Sequence, residues 1–173
     1  MQALGGIGSP DHVAGVLLQS RIGARWRFVP YRGSTPLMQD LLAGHVDWAI
    51  AVPDTSVPQM RAGNIKIYAV AAPQRLTMAP EIPTVDEAGL PGFYSSYWHG
   101  LWAPKGTPKE SVAKINAALV GALAEPQVRQ RLADMGQDIF PRDRQTPQAL
   151  TELQKAEIEK WWPIIKAAGI KAE

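Results

Sequence analysis

Cysteine is absent from the 173 residues, which excludes disulfides, thiolate metal sites and a cysteine nucleophile together, without assigning a compartment. No apolar run approaches the roughly 18 residues that a membrane-spanning helix needs. The N-terminus, MQALGGIGSPDH, lacks a charged region followed by an apolar one, so no secretory signal is visible. Basic tracts are missing too. The net charge is +2 and the arginines and lysines are scattered, which argues against a nucleic-acid partner. Enzyme signatures are equally scarce: His12, His45 and His99 share no metal-ligand spacing, and HExxH, G-x-S-x-G, GxGxxG and Walker A patterns do not occur. No nucleophile, base and metal constellation is found, so the chain is read as a non-enzyme without metal or cofactor.

What is present is ordinary globular material. Hydrophobic residues make up 46% and charged residues 20%, values that indicate neither wholesale disorder nor a coiled coil. A chain of this length forms one domain or two small ones and buries about two-thirds of its unfolded surface. Fifteen glycines and fifteen prolines predict short elements and many turns.

In order along the chain, Gln2–Ile7 reads as a strand end running into a Gly-rich turn. Ser9 as N-cap, Pro10 at the first helical position and Asp11 in the first turn then open a helix that Gly23 ends. Val13, Val16, Leu17 and Leu18 supply its apolar face. Arg25–Val29 alternates as a strand ended by Pro30, and Gly33 turns the chain before Ser34 or Thr35 caps a second helix with Leu37, Met38, Leu41 and Leu42 as its buried stripe. Val46–Val52 reads as a buried strand. Two strand–loop–helix units in succession predict an α/β fold with parallel pairing.

Further on, Pro53–Pro58 reads as a loop, Val57–Ala62 as a helical turn and Ile65–Ala71 as a strand. A loop-rich hinge follows, with a short helix at Val85–Ala88. Phe93–Ala103 alternates aromatics as a strand would, although such a run also suits a core or an interface. Helices are predicted from Lys109 and from Pro126 through Met135, and Ile139-Phe140 as an edge strand. A long last helix is capped by Thr146, stopped at Gly169, and kinked or broken by Pro163 near Trp162.

Two helix starts preceded by Gly and Ser, GSPDH and RGST, lie within one α/β unit. Free backbone N–H groups and the helix dipole favour an anion at each, and loops at the carboxyl ends of parallel strands border a common crevice. Two adjacent loops of this kind could hold one carboxylate. Equally, Ser9 and Ser34 could do no more than cap their helices. His12 lies close enough to Ser9 to donate to a bound anion, or is a satisfied core or surface histidine. Tyr31 lines a pocket or packs on the sheet, and Arg32 is a carboxylate fork or a solvated loop arginine.

With these stretches in view, the chain resembles the solute receptors of tripartite tricarboxylate transporters, the periplasmic Bug family. The resembling segments are GIGSPDHVAG, VPYRGSTPLMQDLLAGHVDWAI, MRAGNIKIYAVAAPQR, EIPTVDEAGLPGF, WHGLWAPKGTPK and KWWPIIKAAGIKAE, in family order over nearly the whole chain. The resemblance implies a periplasmic-binding-protein-like α/β fold of the Venus-flytrap type II kind. Residues 1–92 would be one nearly complete ligand-binding lobe, and residues 93–173 the hinge return and C-terminal helices of an incomplete first lobe. It implies a periplasmic, non-catalytic protein that recognises a small carboxylate and delivers it to membrane transporter subunits. Matched by motif, Gly8, Ser9, His12, Tyr31, Gly33, Ser34 and Thr35 line the cleft. Where the family often has an Asp and a small residue after the VDWAI strand, this sequence has Ala51-Val52-Pro53; Asp54, three positions later, joins the candidate set.

Family members are nearly twice this length, so the sequence is expected to lack the N-terminal part of the family fold. Apolar faces of the 109–123 and 146–168 helices would then want a partner, and the expectation is self-association through these helices, or else partial disorder there. An alternative reading is a half-receptor that binds no ligand and serves as a dimerisation or partner-interaction module.

Overall fold

A computed structural model of the chain describes residues 1–171; Ala172 and Glu173, where the resembling C-terminal segment and the 93–173 part end, lie outside the described residues. The chain forms two compact units, one built from Met1–Tyr97 with the segment from Lys160, the other from Trp98–Glu159.

The first unit is organised around three parallel strands, β1 (Gln2–Leu4), β2 (Phe28–Pro30) and β3 (Trp48–Ala49), in the order β2-β1-β3. Gln2, Ala3 and Leu4 sit opposite Phe28, Val29 and Pro30, and Gln2 and Ala3 also sit opposite Trp48 and Ala49. The crossover from β1 to β2 carries α1 (Pro10–Ile22). The return from β2 past β1 to β3 carries α2 (Ser34–Leu42). Because the two crossovers run in opposite directions and parallel crossovers are right-handed, the helices cover opposite faces of the sheet. Side-chain alternation agrees. Ala3, Val29 and Ala49 pack with Leu37 and Leu41 of α2 and with Val46. Gln2 and Phe28 face α1, where Gln2 Nε2 donates to the Asp11 carbonyl and His12 meets Phe28 edge-on.

Helix α1 departs from the predicted stripe. Five consecutive residues, Asp11 to Gly15, are buried, while Val16, Leu17 and Leu18 are only half-buried. Gly15 is the reason: without a side chain it lets the helix press onto the amide of Gln2. Pro30 is the last paired residue of β2, on the sheet edge, and the ladder continues through Tyr31 N–H to the Leu4 carbonyl at 2.8 Å, so the missing proline donor costs nothing.

Other predicted strands shrink or fail to form. Val46–Val52 is paired only at Trp48–Ala49, and no strand occurs at 65–71, 93–103 or 139–140 among the described residues. Their alternation supplies two faces, but a ladder also needs a neighbouring strand to take its N–H and C=O groups. What forms is partial: Val70 pairs with the 83–85 turn, and Ser95 N–H donates to Ala71. Ala14, Val85 and Phe93 then close a core cluster on the α1 side. The predicted 53–58 loop is instead the start of α3 (Pro53–Arg61), with Pro53 at a first-turn position where its missing N–H is harmless. Val57 packs this helix on Ala79 and Ile82.

The second unit holds α4 (Lys109–Ala124), α5 (Pro126–Asp134) and the first part of α6 (Pro147–Ala167). Thr146 caps α6 as predicted, its Oγ1 accepting the Ala149 N–H at 3.1 Å. No residue of α4 or α5 is buried, and Leu101, Trp102 and Ile115 are each at least half exposed. Of the kink or break expected at Pro163 the break does not occur, because helix α6 is continuous through that residue. It ends at Gly169 (φ 64°), with Gly169 N–H donating to Lys166 and Ile170 N–H to Ile165, a Schellman closure.

Candidate functional site

Strand order reverses between β1 and β3, and in an open parallel sheet the ligand crevice lies beyond the carboxyl ends of the strands at such a point. A pocket of about 240 Å³ occupies this position. Gly5 follows β1 on its floor; Ser9, Pro10 and Asp11 come from the start of α1, Ser34 from the start of α2, and Val52 and Thr55 from the start of α3. Leu37, Met38 and Ile50 make the apolar wall, and Tyr97 closes one side.

Three helix starts therefore face one cavity. The first helical bonds of α1 and α3 are Val13 N–H to Ser9 and Ser56 N–H to Val52, both four residues apart. The amides before them have no intrahelical acceptor, and proline removes one more. This leaves Asp11 and His12 on α1, Ser34 and Thr35 on α2, and Asp54 and Thr55 on α3 as unclaimed N–H groups. Of these, the amides of Asp11, Ser34 and Thr55 belong to residues that line the pocket, and the three helix starts favour an anion there without a formal cation.

The hydroxyls divide in a useful way. Ser9 Oγ donates to the Gly6 carbonyl at 2.6 Å, and Thr55 Oγ1 to the Val52 carbonyl at 3.1 Å, so their protons are committed to backbone oxygens. Ser34 Oγ and the Tyr97 hydroxyl carry no such bond and remain donors for an incoming group. Tyr97 is 42% exposed, yet desolvation around its hydroxyl, followed by the negative charge of Asp11, raises its pKa above the usual tyrosine value.

Of the predicted site residues, Ser9 and Ser34 line the pocket. Gly8 and His12 do not line it and are tied to each other, Gly8 N–H donating to His12 Nδ1 at 3.0 Å. That bond leaves the His12 proton on Nε2. Burial pushes the His12 pKa down, against the pull of Asp11, so the ring stays neutral near pH 7. Gly33, not Ser34 or Thr35, is the N-cap of α2, because the chain enters this helix at φ 101° and ψ −178°, a region open to glycine alone. Ser34 thereby becomes the first helical residue.

Tyr31 is turned to α2, its hydroxyl donating to Asp40 Oδ2 at 2.7 Å, a bond that raises the phenol pKa and lowers that of Asp40. Thr35 and Asp54 are exposed in the first turns of their helices, Arg32 is exposed outside the pocket, and none of the three side chains lines it. Sequence reasoning missed Gly5, Asp11, Val52, Thr55 and Tyr97. For Val52 and Thr55 a signal existed: Val52-Pro53 opens α3 as Ser9-Pro10 opens α1. Among the described residues no cluster of acidic or histidine side chains could hold a metal, and no helix is long and apolar enough to cross a membrane.

A family model described as the tripartite tricarboxylate transporter family receptor matches residues 2–170. A curated UPF0065 protein of Agrobacterium vitis, from the ttuE–ttuC′ intergenic region, is 40% identical over 164 residues, which is 95% of this chain and 47% of that protein. Among solved structures, the periplasmic binding protein BugD superposes with a TM-score of 0.86 at 35% identity, over 99% of this chain and 57% of that one. MatC from Rhodopseudomonas palustris, solved with bound malate, gives a TM-score of 0.86 at 38% identity, over 95% of this chain and 56% of that one. The chain thus spans about half the length of these relatives, and its fold class is the α/β, periplasmic-binding-protein type expected from the sequence.

Proposed function

The chain belongs to the family of tripartite tricarboxylate transporter receptors, and from that premise we propose that its pocket recognises a small carboxylate in the periplasm for delivery to membrane transporter subunits. The protein performs no chemistry on the ligand. In this reading residues 1–92 form the ligand-binding lobe, and residues 93–173 the hinge return and the helices of the other lobe.

The observation that carries the proposal is the convergence of three helix starts on one pocket at the strand-order reversal. A carboxylate oxygen there would meet the free amides of α2 and α3 and the uncommitted Ser34 hydroxyl, while the Leu37, Met38 and Ile50 wall suits a short carbon chain. Malate bound to MatC, a relative by fold and sequence, supports the ligand class. Titration of the chain with a panel of carboxylates, malate included, tests it. The Ser34→Ala variant is expected to bind about tenfold more weakly, the loss of one hydrogen bond to a charged group. Equal affinity in wild type and variant would remove Ser34 from the site.

A second reading has its own support. The helices α4 and α5 bury no residue, and Leu101 and Trp102 are about 60% exposed, an unpartnered apolar surface on the second unit. On this reading the chain is an interaction module that self-associates through these helices. Light scattering is expected to show an oligomer at high concentration; a compact monomer there defeats it.

A further inference from the structure

We propose that His12 is a positioning residue of the pocket: its neutral ring holds the turn between β1 and α1 in the shape that presents Ser9, and acid releases that turn and weakens ligand binding. The inference rests on the carboxylate reading of the same pocket, and it gives His12 a part in binding without contact with the ligand.

The turn runs from Gly5 to Ser9 and contains Gly5, Gly6 and Gly8, so little in its own chain fixes its shape. Side chains fix it instead. Gly5 N–H donates to Asp11 Oδ2 at 2.7 Å, the Ser9 hydroxyl to the Gly6 carbonyl at 2.6 Å, and Gly8 N–H to His12 Nδ1 at 3.0 Å. Gly8 immediately precedes Ser9, which lines the pocket and caps α1. The state of the His12 ring is thereby carried to the wall of the site.

Only the neutral ring can hold the turn. A protonated imidazole donates from both nitrogens, so its Nδ1–H would stand against the Gly8 N–H, donor to donor, at 3.0 Å. The cation would also be almost wholly removed from water, His12 being 8% exposed. Few groups could offset it. Strand β2 presents Phe28, edge-on at 4.8 Å, β1 the uncharged Gln2, and the end of the chain an Ile170 methyl beside Gly8. Asp11 on α1 is the carboxylate whose charge acts on the ring, and Tyr97, which feels the same carboxylate, is uncharged in acid. Burial outweighs Asp11 and holds the His12 pKa below its ordinary value. Loss of the bond therefore falls on the acid side of about pH 6.5.

The sign separates this role from a ligand contact. A histidine touching the carboxylate would gain charge in acid and bind the anion more tightly. A histidine holding the turn makes binding weaker.

Calorimetric titration of the 173-residue chain with malate and with succinate, between about pH 7.5 and about pH 5, tests the assignment in wild type, His12→Ala and His12→Asn. Asparagine places Oδ1 where histidine has Nδ1 and does not titrate. At about pH 7.5, His12→Ala is expected to bind roughly tenfold more weakly than wild type, and His12→Asn to recover most of that loss. By about pH 5 the wild type is expected to weaken at least about tenfold relative to His12→Asn, a ratio from which protonation of the ligand cancels. Circular dichroism at each pH certifies the fold. In NMR without ligand, the Gly8 amide resonance is expected to shift as the His12 ring titrates and to stay in place in His12→Asn. Parallel pH profiles, tighter binding in acid, a His12→Asn no better than His12→Ala, loss of affinity only as the wild type unfolds, or a Gly8 amide indifferent to the ring each overturn the inference and leave the carboxylate reading standing. Absence of binding by both ligands to the wild type at about pH 7.5 overturns the carboxylate reading itself and this inference with it.

Discussion

Leu4→Ala is expected to destabilise the chain by about 3–5 kcal/mol, the upper part of the range for a leucine truncated in a core. Leu4 is 0% exposed and among the largest fully buried side chains. It ends the central strand, with β2 on one side and β3 on the other, so neighbours held by two ladders have little freedom to collapse into the space left behind. Domains of this size are stable by about 5–15 kcal/mol, so the loss is a large share of the total. Urea unfolding followed by circular dichroism measures it. Leu42→Ala, at a position 42% exposed on α2, is the control and should cost far less. Similar losses for the two would mean that the three-stranded sheet is not the centre of the unit.

Gly15→Ala is expected to destabilise by about 2–4 kcal/mol, against the direction of helix propensity, which alone favours alanine by about 1 kcal/mol in a helix interior. A Cβ at residue 15 would fall on Gln2 Oε1 and lie 2.7 Å from Nε2 and 2.8 Å from Cδ. Gln2 cannot swing aside cheaply. It is 0% exposed, its Oε1 accepts the Trp26 Nε1–H at 2.9 Å, and its Nε2 donates to the Asp11 carbonyl at 3.1 Å. The methyl group therefore sets overpacking and the two hydrogen bonds of the Gln2 amide, one buried and one part-buried, against a small gain in backbone entropy. Coupling identifies the cause: in a Gln2→Ala background the same change should cost much less, so the double variant is more stable than the sum of the single losses implies. Additive losses would place the strain elsewhere.

Local signals survived into the structure. Ser9-Pro10, Pro126 and Thr146-Pro147 all open helices as read, and Gly23, Gly44, Gly136 and Gly169 close them at positive φ. Each of these signals is complete within one turn of chain. Strands were less legible. Ile65–Ala71 and Phe93–Ala103 have the alternation of strands, but alternation does not say whether a neighbour is there to pair with. Thr84 and Glu87 show the same limit for a helix. They form a reciprocal capping box, Thr84 N–H donating to Glu87 Oε2 at 2.8 Å and Glu87 N–H to Thr84 Oγ1 at 3.3 Å. Gly89 and Pro91 follow too soon, and only a turn is built behind the cap. Arg75, clasping the same carboxylate, and the Thr84 amide lower the Glu87 pKa to about 2.

The candidate site was half legible for a related reason. GSPDH and RGST announce two of its helix starts within a few residues each. The third hides behind Val52, which resembles no cap, and Tyr97 arrives from far along the chain. Asp11 was visible as a first-turn acid. That it is buried beside Gly5 and turned to a cavity depends on how closely α1 approaches β1, which Gly15 permits and no local pattern states.

The pocket's positive end is made of peptide groups and contains no lysine or arginine, which bears on kinetics as well as affinity. Peptide dipoles act within a turn or so of the helix end and project little field into bulk water, and a net charge of +2 adds little long-range pull. An anion reaching this pocket would do so by unaided diffusion, at a rate nearly flat with ionic strength. The lifetime of the complex, not the frequency of encounter, would then separate one ligand from another.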